Sequence, residues 1–202
     1  TDAAGNSPSD LTIAVTVTDV NDQTPTYTSS DTTPNIAEQT TAVETLTVTD
    51  TDTGDVNACT LGGADASSFS CTVSGDSVSL AFSSAPDFEN PGSVDSDNDY
   101  SVTVTISDGV NTGATISYTV TVDDANDFTP TYSAGDLTPS VAEGSTAVDS
   151  FTVSDADTDD VNACIRGGAD AALFTCTVSG DDITLAFASA PDYDSASDAN
   201  SD

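Results

Sequence analysis

The sequence repeats itself at a constant offset of 105 residues, with no gap. The phrase DVNDQTPTY at 19–27 returns as DANDFTPTY at 124–132, and Cys59 and Cys164 keep the same offset. A period of this length matches one independently folding domain, whereas solenoids repeat over much shorter units. The pattern therefore indicates tandem copies of one domain.

The acidic phrase is the expected joint between copies. Placing the boundary there predicts the C-terminal end of a preceding repeat in 1–22, a complete repeat in 23–127, and a repeat that lacks its end in 128–202. We therefore expect the sequence to be a window cut from a longer protein.

Short apolar runs with a period of two predict β-strands. They are LTIAVTVT (11–18), VSLAF (78–82), YSVTVTI (100–106), ISYTVTV (116–122) and ITLAF (183–187). Thr fills many of the outward positions, as expected of a β-branched residue on a pleated surface. Strands every 8–12 residues, separated by Gly, Asp, Asn and Pro, predict an all-β chain with one antiparallel β-sandwich per repeat.

The charge is strongly one-sided. The chain has 35 acidic residues, one basic residue (Arg166) and no His, giving a formal net charge of −34. Such a surface repels nucleic acid and anionic membranes, so we expect no nucleic-acid partner and no direct membrane insertion. Because nearly every carboxylate lacks a cationic side-chain partner, folding is expected to require screening salt or bound metal cations.

The four cysteines form two pairs of equal spacing, in CTLGGADASSFSC (59–71) and CIRGGADAALFTC (164–176). We expect disulfides Cys59–Cys71 and Cys164–Cys176, each closing a loop within one repeat, and hence an oxidising compartment outside the cytoplasm. The alternative is a cysteine metal site, although the chain has no His and these pairs lack the close C-x₂-C spacing that zinc prefers.

The residue types do not favour an enzyme. The triplet DTG at 52–54 matches that of aspartic proteases, but its flanks are polar and the second repeat has DTD at 157–159. Without His or Lys, no base is visible for a Ser or Thr nucleophile. A glycosidase needs only carboxylates. However, carboxylates that recur from repeat to repeat favour structural ligands, so we expect no enzyme activity.

Several spaced motifs together resemble the cadherin repeat. They are D-x-N-D-x-x-P at the joint, IAE and VAE at 36–38 and 141–143, DTD and DAD at 50–52 and 155–157, DFE and DYD at 87–89 and 192–194, and YSVTVTISDG at 100–109. The resemblance runs over nearly the whole chain. It implies tandem immunoglobulin-like Greek-key β-sandwiches with calcium ions bound at each joint between repeats.

The resemblance also implies two sets of calcium ligands, one for each joint. For the joint at 123–130 they are Glu38, Asp87, Glu89, Asp124, Asn126, Asp127, Asp155, Asp157 and Asn162. For the joint at 18–25 they are Asp19, Asn21, Asp22, Asp50, Asp52, Asn57 and Asp108. The chain departs from the family where the Pro before Glu38 is absent and where Phe88 replaces the usual basic residue.

The implied function is an extracellular or cell-surface rod, or the stalk of an adhesin, stiffened by Ca²⁺. The alternative is a subunit that forms the body of an extracellular filament. The expected partners are neighbouring repeats, other copies in a filament, or a cell-surface ligand. Tyr27 and Tyr132 follow the joint, where cadherins place a core aromatic, and packing is favoured over a role in glycan recognition.

Overall fold

A computed structural model describes residues 3–5, 12–53, 57–133, 135–158 and 162–195. The chain divides into two compact units. The first comprises Thr1–Pro86 and Gly92–Val122, and the second comprises Asp87–Pro91 and Asp123–Asp202. Apart from strands, the described residues form only three short 3₁₀ turns, at Ala66–Ser68, Ala171–Leu173 and Tyr193–Ser195. In the part of the chain described, no helix has the length and apolarity needed to cross a membrane.

The first unit is a β-sandwich of two four-stranded sheets. Its strands are β1 (Thr26–Tyr27), β2 (Asn35–Ala37), β3 (Ala42–Thr49), β4 (Ala58–Gly62), β5 (Phe69–Ser74), β6 (Ser77–Phe82), β7 (Asp99–Ser107) and β8 (Ile116–Asp123). One sheet has the order β1-β3-β6-β5 and the other has the order β2-β8-β7-β4.

The core of the first unit lies between these sheets and follows from the alternation in sequence. Val78, Leu80 and Phe82 on β6 are buried while their neighbours are partly exposed, and β7 alternates in the same way. The rings of Phe82 and Tyr100 meet edge to face, with centroids 5.1 Å apart, and link the two sheets. Each fully buried apolar side chain of this kind contributes roughly 1.5–3 kcal/mol from burial.

The second unit repeats the first sheet of the sandwich. Its strands are β9 (Thr131–Tyr132), β10 (Ala147–Ser154), β11 (Phe174–Ser179) and β12 (Asp182–Phe187), in the order β11-β12-β10-β9. The irregularity in register between Ala147 and Asp149 recurs from Ala42 and Glu44 in the first unit. This is the only sheet of the second unit among its described residues.

The all-β prediction is confirmed, and strands occur at four of the five predicted runs. The prediction of a strand at 11–18 is wrong for the described residues 12–18, which are exposed and have no strand assignment. A strand needs a neighbour for its backbone hydrogen bonds, and no such neighbour lies beside these residues among those described.

Both predicted disulfides are present. Cys59 is bonded to Cys71 in the first unit and Cys164 to Cys176 in the second. No free cysteine remains, so the alternative of a cysteine metal site is excluded. In the chain-entropy description, closing a loop of this length stabilises each unit by about 3 kcal/mol.

Candidate metal centre

In the first unit, hydrogen bonds to carboxylates connect the segment 18–25 to the loop after β3. Asp19 Oδ2 accepts hydrogen bonds from the Thr53 amide at 2.6 Å and the Thr53 hydroxyl at 2.9 Å. Asp52 Oδ2 accepts from the amides of Asp22 and Gln23, at 2.8 and 2.7 Å. These bonds use one oxygen of each carboxylate and fix where the other oxygen lies.

Two further oxygens at this site are buried and accept no hydrogen bond from the described residues. They are Oδ2 of Asp50 and Oδ1 of Asn57. The other oxygen of Asp50 accepts from the Asp52 amide at 3.1 Å, and the Asn57 amide nitrogen donates to the Gly75 carbonyl. A buried oxygen without a donor is costly, since it has lost water without replacement. A bound cation is a partner that such an oxygen accepts.

Asp108 and Asn21 are brought together in the first unit through Asn111. The Asn111 amide nitrogen donates to Asn21 Oδ1 at 2.8 Å. Asp108 Oδ1 accepts from the amides of Val110 and Asn111, at 2.8 and 2.6 Å. Burial by itself would raise the pKa of Asp108, but these hydrogen bonds outweigh it and the pKa is lowered. Asp108 therefore stays charged as a ligand must.

The same arrangement recurs in the second unit, 105 positions later. Asp124 Oδ2 accepts from the amide and hydroxyl of Thr158, as Asp19 does from Thr53. Asp157 Oδ2 accepts from the Phe128 amide at 2.9 Å, as Asp52 does from Gln23. Oδ1 of Asp124 and Oδ1 of Asp157 are buried and accept no hydrogen bond from the described residues. The second copy thus presents its own pair of oxygens in need of a partner.

Two other predicted ligands hold equivalent places in both units. Asp155 Oδ1 accepts from the Asp157 amide at 3.3 Å, as Asp50 does from Asp52. Asn162 donates to the Gly180 carbonyl at 3.4 Å, as Asn57 does to Gly75. These two hydrogen bonds are therefore the same in both units.

Three carboxylates converge in the second unit. One oxygen from each of Glu89, Asp127 and Asp157 lies within 4.8 Å of the other two. Asp157 is only 7% exposed, whereas Asp127 is exposed and Glu89 is half-buried. Two ligand oxygens on opposite sides of one Ca²⁺ lie about 5 Å apart, twice the metal–oxygen distance. The spacing and the all-oxygen donor set both fit calcium, a hard cation.

The remaining predicted ligands stay predictions. Glu38, directly after β2, is buried at 4% exposure. Asp87 Oδ1 accepts a hydrogen bond from the Asn90 amide at 3.0 Å, and this bond closes the turn that contains Glu89. Asp22 Oδ1 accepts from the Gln23 side chain, and Asn126 is exposed.

Sequence reasoning missed three residues that position ligands: Thr53, Thr158 and Asn111. The two threonines share the 105-residue offset and follow the D-x-D motif directly, so the repeat itself carried the signal. Their hydrogen bonds lower the pKa of Asp19, mainly through the Thr53 amide, and the pKa of Asp124, mainly through the Thr158 hydroxyl. Asn111 has Asn6 at the same offset, so here too the repeat carried a signal that the motifs did not include.

Comparison with known proteins gives matches only among solved structures. No family model matches the sequence, and no curated protein does. Extracellular cadherin domains 1–4 of protocadherin gamma B7 align with a TM-score of 0.54 and 21% identity, over 88% of this chain and 44% of that one. Domains 3–6 of the same protocadherin, solved as a cis-dimer, align with a TM-score of 0.53 and 22% identity, over 87% and 44%.

A mouse structure agrees with these two. Domains 22–24 of mouse cadherin-23 align with a TM-score of 0.52 and 19% identity, over 85% of this chain and 56% of that one. The chain thus spans about half the length of the solved structures it matches. At these identities the likeness shows the fold, and that fold is the cadherin-like β-sandwich.

Proposed function

We propose that this chain is part of an extracellular tandem-repeat protein of the structural or adhesive kind, and that Ca²⁺ bound at each joint stiffens it. The observation that carries the proposal is that each unit holds buried ligand oxygens that accept no hydrogen bond from the described residues. They are Asp50 Oδ2 and Asn57 Oδ1 in one unit and, at other positions of the repeat, Asp124 Oδ1 and Asp157 Oδ1 in the other. Solvated turn-forming carboxylates would be exposed or hydrogen-bonded. These oxygens are neither.

Electrostatics explains why an ion would act as a stiffener. Without a cation, the carboxylates of Glu89, Asp127 and Asp157 repel one another over distances of 4.8 Å or less. A divalent ion among them turns this repulsion into attraction and joins segments that are far apart in sequence. The residues assigned to the two joints are those of the sequence analysis, including Glu38, Asp87 and Asn126.

The solved neighbours support the wider role. They are extracellular cadherin domains, multi-domain in each case, and one is described as a cis-dimer. The two disulfides of this chain also suit an oxidising exterior. These observations support the part of the proposal that puts the protein outside the cell or at its surface, with neighbouring repeats, further copies or a surface ligand as partners.

The test is small-angle X-ray scattering of the 202-residue chain with calcium, with chelator, and with sodium chloride at matched ionic strength. Calcium is expected to narrow the distribution of the maximum dimension of the chain. Sodium is not expected to do so, because it screens the charges without binding to several ligands at a defined position. Asp127→Ala should need more calcium for the same narrowing, while Asp136→Ala, an exposed carboxylate outside the sites, should behave as the parent. Equal effects of calcium and sodium would contradict the proposal.

A further inference from the structure

The predicted calcium ligands of the joint at 18–25 come from three separate pieces of the first unit. One piece is the segment 18–25 itself, and the second is the loop that follows β3. The third is the turn between β7 and β8, which begins with Asp108. A calcium ion takes about six to eight oxygens, each at roughly 2.3–2.6 Å. The relative placement of the three pieces therefore limits how well their oxygens can bind one ion.

Tyr27 connects these three pieces. It follows the segment 18–25 in the chain, and its backbone pairs with Val48 near the end of β3. Its hydroxyl accepts a hydrogen bond from the Ile106 amide of β7 at 3.1 Å and donates one to the Ala114 carbonyl. Because β1 belongs to one sheet and β7 to the other, the side chain of Tyr27 links the two sheets beside the ligands.

The turn between β7 and β8 leaves room for this contact. A Cβ on Gly113 would lie 2.7 Å from the Pro25 carbonyl oxygen and 2.7 Å from the Tyr27 ring, so only a glycine fits there without a shift. In the same turn, the Asn111 side chain donates to Asn21 Oδ1 at 2.8 Å. The joint segment is therefore held against the turn at two points, one before and one after its proline.

We propose that the Tyr27 hydroxyl is a positioning group for calcium at the joint 18–25. Its two hydrogen bonds fix the sheet that leads to Asp50 relative to the sheet that leads to Asp108. In this role Tyr27 acts through the segments that carry the ligands and is not itself a ligand. The inference rests on the proposed function, because it assigns a role within the same calcium site.

The hydroxyl, and not the ring, carries this role. Packing into the sandwich uses the apolar body of an aromatic side chain, and Phe would fill the same space. A hydroxyl that both donates and accepts fixes the distance between its two partners, here the Ile106 amide and the Ala114 carbonyl. Removing the hydroxyl alone therefore separates positioning from packing.

The test is Tyr27→Phe in the full chain. Calcium is titrated while NMR follows the backbone amides of Thr53, Val110 and Asn111, which lie beside the ligands of this joint. The calcium dissociation constant measured at these amides should rise by about tenfold, the low end of the loss on removing outer partners of metal ligands. An unchanged dissociation constant would overturn the inference.

Tyr100→Phe is the matched control. Tyr100 lies at the other end of β7, and its hydroxyl accepts a hydrogen bond from the Gly92 amide at 2.9 Å. This variant should lose stability but keep the dissociation constant at the 18–25 joint within about twofold of the parent, because the two places are far apart. An equal rise in both variants would overturn the inference, since any lost hydroxyl would then have the same effect.

Thermal unfolding separates positioning from a general contribution to stability. A hydroxyl that only stabilises the fold would lower the melting temperature equally in calcium and in chelator. Tyr27→Phe should lower it more in calcium, because weaker binding leaves less stabilisation by the ion. An equal decrease in both conditions would contradict the positioning role.

Gly113→Ala is an independent second variant. It keeps the Tyr27 hydroxyl but forces the Pro25 carbonyl and the Tyr27 ring away from the turn. It should weaken calcium binding at this joint as Tyr27→Phe does, and the double variant should be little weaker than either one, because both act on the same placement. Additive losses would contradict the inference.

The parent chain separates this inference from the proposed function. If the amides beside the 18–25 joint do not respond to calcium in the parent, the proposed function fails at this joint and the inference fails with it. If they respond in the parent and Tyr27→Phe titrates identically, only the inference fails.

Discussion

The two units share a sequence pattern but differ in how much of their apolar surface is covered. Leu80 in the first unit is buried between two sheets, while Leu185, its equivalent in the second, is half-buried on a single sheet. Tyr27 donates its hydroxyl to the Ala114 carbonyl and accepts from the Ile106 amide, whereas Tyr132 is 68% exposed. The same residue types are thus more buried in the first unit than in the second, and the counterparts of the covering strands β7 and β8 would fall at 204–228, beyond the 202 residues of the sequence.

The difference extends to secondary structure itself. β4 in the first unit pairs with β7 from Ala58↔Ser107 to Gly62↔Thr103. The equivalent stretch 163–167 in the second unit forms no strand. By contrast, the sheet of β9 to β12, whose strands all lie among the described residues of the second unit, forms in the same order and register as in the first unit. The partner of β4 is β7, and its counterpart at the 105-residue offset, 204–212, falls beyond the 202 residues of the sequence, so 163–167 has no partner strand among the described residues.

Replacing a leucine by alanine should give the largest difference between the units in the free energy of unfolding that each one loses. Leu80→Ala should destabilise the first unit by about 2–5 kcal/mol, since it leaves a cavity in a closed core. Leu185→Ala should cost the second unit about half of that or less, because this side chain already meets solvent. Hydrogen exchange followed by mass spectrometry, at concentrations where the chain is monomeric, would resolve the two units separately. Equal losses would mean that the second unit is closed in solution.

Much of this comparison was predictable from sequence, and the reasons differ by element. The period-two runs at 78–82 and 183–187 predicted strands correctly because each pairs with a neighbour close in the chain. The run at 11–18 has the same pattern but no partner among the described residues, so pattern alone was insufficient. The disulfides were predicted from equal spacing, which brings the cysteines of each pair within one short loop.

The site was predictable in its acidic residues but not in what holds them. The recurring D-x-N-D and D-x-D motifs located Asp19, Asp52 and their equivalents. The roles of Thr53 and Thr158 depend on hydrogen bonds across about 34 residues of sequence, which only the structure shows. The boundaries of the repeats and the full ligand sets stay predictions.

Removing one threonine hydroxyl should raise the pKa of the aspartate beside it by a different amount at each joint. This effect is expected to be smaller than that of the leucine substitutions. The pKa of Asp124 is lowered mainly by the Thr158 hydroxyl, and that of Asp19 mainly by the Thr53 amide, from an ordinary value of 3.8 in both. Thr158→Val should therefore raise the pKa of Asp124 more than Thr53→Val raises that of Asp19. Carboxyl-carbon NMR during an acid titration measures both.

The sign of the associated stability follows from the direction of these shifts. A carboxyl group with a lowered pKa in the folded state stabilises the fold above pH 3.8, and this contribution is lost as the pH falls through the lower folded value. Each valine variant should lose part of that contribution at neutral pH and should differ less from the parent in strong acid. A change in the pKa of Asp124 in the Thr53→Val variant would contradict the assignment of each threonine to the aspartate it contacts.

Calorimetric titration of calcium into the Asp157→Asn variant tests the central claim most directly. Asp157 is buried, lies in the cluster with Glu89 and Asp127, and has one oxygen without a donor among the described residues. Asn keeps the size of the side chain but removes the charge, so calcium affinity should fall by at least about tenfold, a loss of about 1.4 kcal/mol. Asp136→Asn, which removes an equal charge from an exposed turn, should leave the affinity within about twofold of the parent. An equal, small change in both variants would show that the repeated acidic phrase attracts calcium only through net charge and forms no metal site.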